Sequence, residues 1–155
     1  MTLLLGACND EEPVSAPDAS PSAEADTTET VGTFTFASST CAYEGPGKIP
    51  EGEVSFSLLS EGGPADFDLY RFDGGHTYDE LVAHIAEEMR RAEEGLPGLG
   101  HPDFATLVAE ASTDGEGHGT MTTTVDAGEY GMACIRFEGD RAIVAAGPFA
   151  VEPEA

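Results

Sequence analysis

From Val31 onward, apolar and polar residues alternate in short runs, and the alternation predicts strands with one buried face. Phe34 and Phe36 alternate with Thr33 and Thr35, residue types that suit a pleated, half-buried surface. Val54, Phe56 and Leu58 repeat the pattern over residues 53–59. Phe67, Leu69 and Arg71 lie on one side of a third run at 66–72. Turn-forming clusters separate these runs: Gly45-Pro46-Gly47, Ile49-Pro50-Glu51-Gly52 and Glu61-Gly62-Gly63-Pro64. Short strands with short connections predict an antiparallel Greek-key sandwich.

One stretch follows a different period. Thr77-Tyr78-Asp79-Glu80 has the residues of a capping box, and Tyr78, Leu81, Val82, Ile85 and Met89 follow at helical spacing. Acidic residues in the first turn and Arg90 and Arg91 in the last complement the helix dipole. Gly95 supplies a stop. The spacing predicts a helix over about 77–94. Residues 104–111 fit either helix or strand, with Phe104, Leu107, Val108 and Ala111 favouring a helical face. A glycine-rich loop at 113–119 leads into a threonine-rich strand at 120–125. Then Asp126-Ala127-Gly128 turns the chain, and Tyr130, Met132 and Cys134 alternate along another strand. A final strand spans 142–151, where Pro148 implies an edge position or a bulge.

Composition divides the chain of 155 residues into a tail and one domain. Residues 9–30 carry three prolines, seven acidic side chains, no Lys or Arg and no aromatic ring. Such a segment buries too little apolar area to offset chain entropy, so it reads as a disordered, extended acidic linker. Before it, Leu5-Gly6-Ala7-Cys8 resembles the bacterial lipobox, in which the cysteine is lipidated and becomes the mature N-terminus. Residues 1–8 then read as a truncated signal peptide, lacking a cationic n-region. The domain organisation is thus 1–8, 9–30 and a folded 31–155. A net charge of −24 excludes nucleic acid as a partner, because that affinity comes from neutralising phosphates.

Setting Cys8 aside leaves Cys41 and Cys134, an even pair as extracytoplasmic chains favour. The two lie near predicted strands, which favours a bridge; two separate buried thiols are the alternative. A blue-copper site wants two His, one Cys and often an axial Met. Neither His nor Met follows Cys134 in this chain, and Met132, two residues before it, reads as a core residue.

The order of elements carries a family resemblance. A strand, a Cys, a Pro/Gly turn, an apolar strand, a helical insertion, then turn-Gly-x-Tyr-xxx-Cys and a last strand resemble a cupredoxin-like bacterial lipoprotein. The resemblance implies a mainly β, cupredoxin-like Greek-key β-sandwich with one inserted helix. It implies a copper-free domain on a lipid anchor, held at the cell membrane outside the cytoplasm. Such a domain serves as a binding or interaction module for an envelope protein or small ligand, with no cofactor.

The alternative function is a Cu or Zn carrier, or a redox protein, using loop histidines. His76, His101 and His118 fall in predicted loops and are the candidates for metal. They share no ligand spacing, and solvated loop residues are the plainer explanation. His84 sits on the flank of the predicted helix. No catalytic residue is nominated: there is no G-x-S-x-G elbow, no phosphate loop, and Asp79 and Glu80 have a capping explanation.

Overall fold

The computed structural model describes residues 29–138 and 141–154. The predicted signal peptide, Cys8 and all of the acidic linker up to residue 28 lie outside the described residues. Ten elements follow in order. They are β1 (Thr30–Ala37), β2 (Thr40–Glu44), β3 (Lys48–Pro50), β4 (Gly52–Ser60), β5 (Asp66–Phe72), α1 (Tyr78–Glu93), β6 (Ala105–Ser112), β7 (His118–Val125), β8 (Gly128–Arg136) and β9 (Ala142–Glu152).

The strands form two sheets, ordered β2-β1-β4-β7 and β3-β9-β8-β5-β6. The alternating apolar residues of the sequence meet between them. Phe34, Phe36, Phe56, Leu58, Phe67, Leu69, Tyr130, Met132 and Phe149 are all at most 2% exposed there. This is the mainly β sandwich with one inserted helix that the sequence predicts. The pairing is mixed, however. β1 runs parallel to β4 and β3 parallel to β9, where a purely antiparallel sandwich was expected. The Ile49-Pro50 segment, read as a turn, is the short strand β3, with Ile49 buried against the core.

Two further expectations are settled by bulges. Residues 104–111 are a strand, not a helix: β6 pairs antiparallel with β5. The register shifts between Leu69 and Tyr70, so Leu69 faces Ala109 and Tyr70 faces Leu107, with Val108 as the extra residue. Leu107 then packs under the helix, while Val108 packs into the core between the sheets. The bulge breaks the period of two and leaves apolar residues at spacings that imitate a helix. Pro148 also sits at a shift, where Tyr130 pairs with Phe149 and Met132 with Ala146. β3 pairs with β9 only from Ala150 to Glu152, so at Pro148 the strand has a ladder partner on one side alone, and the bulge and edge readings both hold there.

The helix forms where its sequence signals put it. The Thr77 N–H donates to Glu80 Oε2 at 2.7 Å, the reciprocal arm of the capping box. At the other end Gly95 adopts φ +70°, its N–H bonds the Ala92 carbonyl, and the Leu96 N–H bonds the Arg91 carbonyl. That is a Schellman ending. Leu81 and Ile85 are buried, but Val82 is 43% exposed and does not share their face.

The helix covers the outer face of the five-stranded sheet. Leu81 and Ile85 pack there with Tyr70, Phe72 and Ala133 in a second, smaller core. Close approach depends on Gly131 of β8, where a Cβ would lie 2.9 Å from Phe72 Cζ and 3.1 Å from Leu81 Cδ2. β5 is therefore buried on both faces, Phe67 and Leu69 inward and Asp68, Tyr70 and Phe72 beneath the helical side.

Two devices fix β8. Tyr130 donates its hydroxyl to the Asp126 carbonyl at 2.8 Å and accepts the Asp126 N–H at 3.1 Å, pinning the turn before the strand. At the far end Arg136, 9% exposed, donates to the Glu61 carbonyl at 2.6 Å, Ser60 Oγ at 3.0 Å and the Ser38 carbonyl at 3.4 Å. Its guanidinium also lies 4.5 Å from the centre of the Phe36 ring. One buried cation thus ties together the β1–β2 turn, the β4–β5 loop and the end of β8.

Candidate functional site

Cys41 and Cys134 form a disulfide, as the even pair predicts, with Cα atoms 6.4 Å apart. It joins β2 of one sheet to β8 of the other. The residues at this position do not fit a copper ion. The Cys134 sulfur is already bonded, its residue is 0% exposed, and Ile135, Arg136 and Phe137 follow it.

The three candidate loop histidines do not come together. His118 is the first residue of β7, on the four-stranded sheet. His76 lies in the loop just before α1, with Nδ1 2.9 Å from Glu80 Oε1 and its ring against Phe104. His101 lies in the loop between α1 and β6, with Nδ1 2.6 Å from the Tyr70 hydroxyl. The histidine that joins His101 is His84, whose Nε2 contacts the Gly100 carbonyl at 2.8 Å. Among the described residues, the single group of three ligand-type side chains within 4.8 Å is Asp114, Glu116 and His118. Its geometry has a structural cause: the Asp114 carboxylate accepts the Glu116 and His118 backbone N–H groups in a turn. Those bonds, from His118 first, lower the Asp114 pKa.

The molecule's distinctive chemistry is under the helix. A cleft of about 220 Å³ opens between α1, the loop after it and the outer face of the five-stranded sheet. Its walls are apolar: Leu81 and Ile85 from α1, Ala133 and Ile135 from β8, Ile143 from β9, and Phe137 at the mouth. Asp68, Tyr70, His84, Glu88, His101 and Arg141 supply its polar groups.

Asp68 stands out among them because it is only 7% exposed. Burial first, and then the nearby Glu110 carboxylate, push its carboxyl up to about 6. The nearby Tyr70 hydroxyl partly opposes this. Tyr70 is itself 4% exposed, and burial with the Asp68 charge raises its phenol above the ordinary value. The Tyr70 hydroxyl bonds His101 Nδ1 at 2.6 Å, with Asp68 as a close neighbour on the same strand. Asp68 also borders an adjoining cleft with Asp66, Glu110, Ser112, Ile135 and Phe137. At the rim, Arg141 approaches Glu88 at 3.9 Å and lies 5.8 Å from the centre of the Phe137 ring.

The sequence reading did not nominate Asp68. Alternation puts Phe67, Leu69 and Arg71 on one side of that strand and Asp68 on the other. The available signal was Tyr70 and Phe72 on the same side as Asp68, followed directly by an amphipathic helix. Two large aromatic residues on a supposed outer face mark a second buried surface, and a carboxylate beside them is out of place.

No family model matches the chain, and no curated protein matches it. Among solved structures, it is similar to auracyanin A, a "blue" copper protein from the green thermophilic photosynthetic bacterium Chloroflexus aurantiacus. That likeness has 17% identity and a TM-score of 0.40, over 77% of this chain and 98% of the other. It is also similar to the Na-dithionite reduced auracyanin of the photosynthetic bacterium Roseiflexus castenholzii. There the identity is 23% and the TM-score 0.35, over 79% of this chain and all of the other (100%). A likeness at this level concerns the fold and transfers none of the auracyanins' chemistry to this chain.

Proposed function

We propose that the protein is a lipid-anchored, extracytoplasmic binding module with a copper-free cupredoxin-like domain, and that its ligand site is the cleft beneath α1. The observation that carries this reading is Asp68. A carboxylate 7% exposed, with its pKa raised to about 6, is costly to a fold, and it stands at an apolar concavity beside Tyr70 and His101. Apolar walls with a few convergent polar groups, one of them strongly perturbed, are the usual make-up of a small-ligand site. The lipobox-like Leu5–Cys8 segment and the Cys41–Cys134 bridge both support an address in an oxidising compartment. Nothing in the cleft provides an activated nucleophile, so binding is the better reading than catalysis.

Two measurements test it separately. A small-molecule library screened by NMR against the isotope-labelled protein is expected to shift the resonances of Ile85, Ile135 and Ile143 together. Shifts confined to other surfaces would refute the cleft as the site. Exported behind a complete signal, the wild type is expected to partition into detergent, and Cys8→Ser into the aqueous phase. Equal partitioning would refute the anchor.

A further inference from the structure

The geometry points to an organic cation as the ligand of this cleft: a primary ammonium group carried on a short aliphatic chain. The inference rests on the reading of the cleft as a binding site and names the class of molecule that the site takes.

The argument starts from what Asp68 lacks. A carboxylate offers about four lone-pair directions, and the Tyr70 hydroxyl close to Asp68 is bonded instead to His101 Nδ1 at 2.6 Å. Asp68 lines this cleft and the adjoining one, so a ligand there can meet its carboxylate. An aliphatic neutral ligand would bury that carboxylate further with nothing to bond it, at a desolvation cost. An anion would meet Asp68, with Asp66 and Glu110 beside it in the adjoining cleft. An ammonium brings three donors and the opposite charge. Its alkyl chain then lies on Leu81, Ile85, Ile135 and Ile143.

Size and setting agree. A volume of about 220 Å³ equals that of roughly seven water molecules, at ~30 Å³ each. That accommodates a chain of a few carbons and no large ring system. Phe137, 61% exposed at the mouth, presents a ring to an alkyl chain or a second ammonium. Arg141 is the cation already at the rim, but it is directed to Glu88 and the Phe137 ring. A chain with net charge −24 also concentrates small cations around itself.

Acidification should weaken the interaction. The ionisable or charged groups facing Asp68 are Asp66 and Tyr70 on its own strand, Glu110 on β6 and His101 on the loop. His84 and Glu88 face it from α1, and Arg141 from the start of β9. As pH falls through about 6, Asp68 itself becomes neutral and loses its attraction for a cation.

The test compares isosteres on the full-length wild-type chain by NMR titration, at ionic strength near physiological so that diffuse surface attraction is screened. The probes are n-butylamine and 1,4-diaminobutane, with 1-butanol and butyrate as the neutral and anionic counterparts. At about pH 7.5 the amines are expected to saturate the Ile85, Ile135 and Ile143 resonances at least about tenfold more tightly than 1-butanol. Butyrate should not shift them. At about pH 5 the amine affinity should fall by about tenfold, and Asp68→Asn should lose the preference for amine over alcohol. If 1-butanol or butyrate binds the cleft as tightly as the amines, the charge class is wrong while the cleft stands as a site. If Asp68→Asn keeps the preference, the cation inference fails in the same way. If no probe shifts the cleft, or the amines shift only scattered acidic surface residues, the inference fails and the binding reading of the cleft is weakened with it.

Discussion

Tyr70 on β5 and His101 in the loop after α1 are joined across the cleft, hydroxyl oxygen to Nδ1, at 2.6 Å. The bond links a buried strand to a loop that otherwise rests on the helix, through Leu99 N–H to Glu88 and Gly100 carbonyl to His84. Its consequence is that the cleft has a floor belonging to the sheet and a border belonging to the helix and loop. Asp68, one alternation along from Tyr70, is closed in from both sides.

The stability of the domain should record the strain of ionising Asp68. Its folded pKa of about 6 lies above the unfolded value near 3.9. Between those values the folded chain holds a proton that the unfolded chain has released. Stability from this group therefore falls as pH rises from about 4 to about 6. Asp68→Asn should be more stable than wild type at neutral pH, with the difference shrinking toward pH ~4. Urea unfolding at several pH values checks this. A destabilised variant at neutral pH would show that the carboxylate is well paired in the fold.

The disulfide closes a sequence separation of 93 residues. On the chain-entropy account, replacing both cysteines with alanine should cost about 4–5 kcal/mol, with measured values often smaller. Denaturant unfolding of Cys41→Ala/Cys134→Ala against wild type measures it. A loss under about 1 kcal/mol would mean that the sandwich is held by its aromatic core alone, the bridge adding little to its stability.

How much of this was legible beforehand depends on whether one element alone decided the outcome. The helix was legible because Thr77, Glu80, Leu81, Ile85 and Gly95 each act within a few residues of one another. The inner faces of β1 and β4 were legible because Phe34, Phe36, Phe56 and Leu58 keep strict alternation. The Cys41–Cys134 pairing followed from cysteine count and placement. Parallel pairing of β1 with β4 was not legible, since strand direction is set by which distant partner the chain returns to. Strand β6 was obscured by its bulge at Val108, and Asp68 because the alternation along β5 does not show that the helix following it folds back over its outer face. Val82 was misplaced because its helical position alone did not show where the sheet ends.

Two neighbouring substitutions on the helix should therefore differ. Leu81 is 1% exposed and packs against Tyr70 and Phe72, so Leu81→Ala should cost about 2–5 kcal/mol. Val82→Ala, at a residue 43% exposed, should stay within about 0.5 kcal/mol. Thermal or urea unfolding of both variants distinguishes them. Equal effects would mean that the helix sits rotated on the sheet.

The central claim is that the space beneath α1 is a water-poor, acidic cleft and not an ordinary stretch of surface. Carboxyl-detected carbon-13 NMR of Asp68 across a pH series measures that directly, residue by residue, without a ligand or a substitution. The account predicts a midpoint near 6, well above the ordinary aspartate value. A midpoint near the ordinary 3.9 would show that Asp68 is solvated, and the cleft would lose the feature on which its role as a binding site rests.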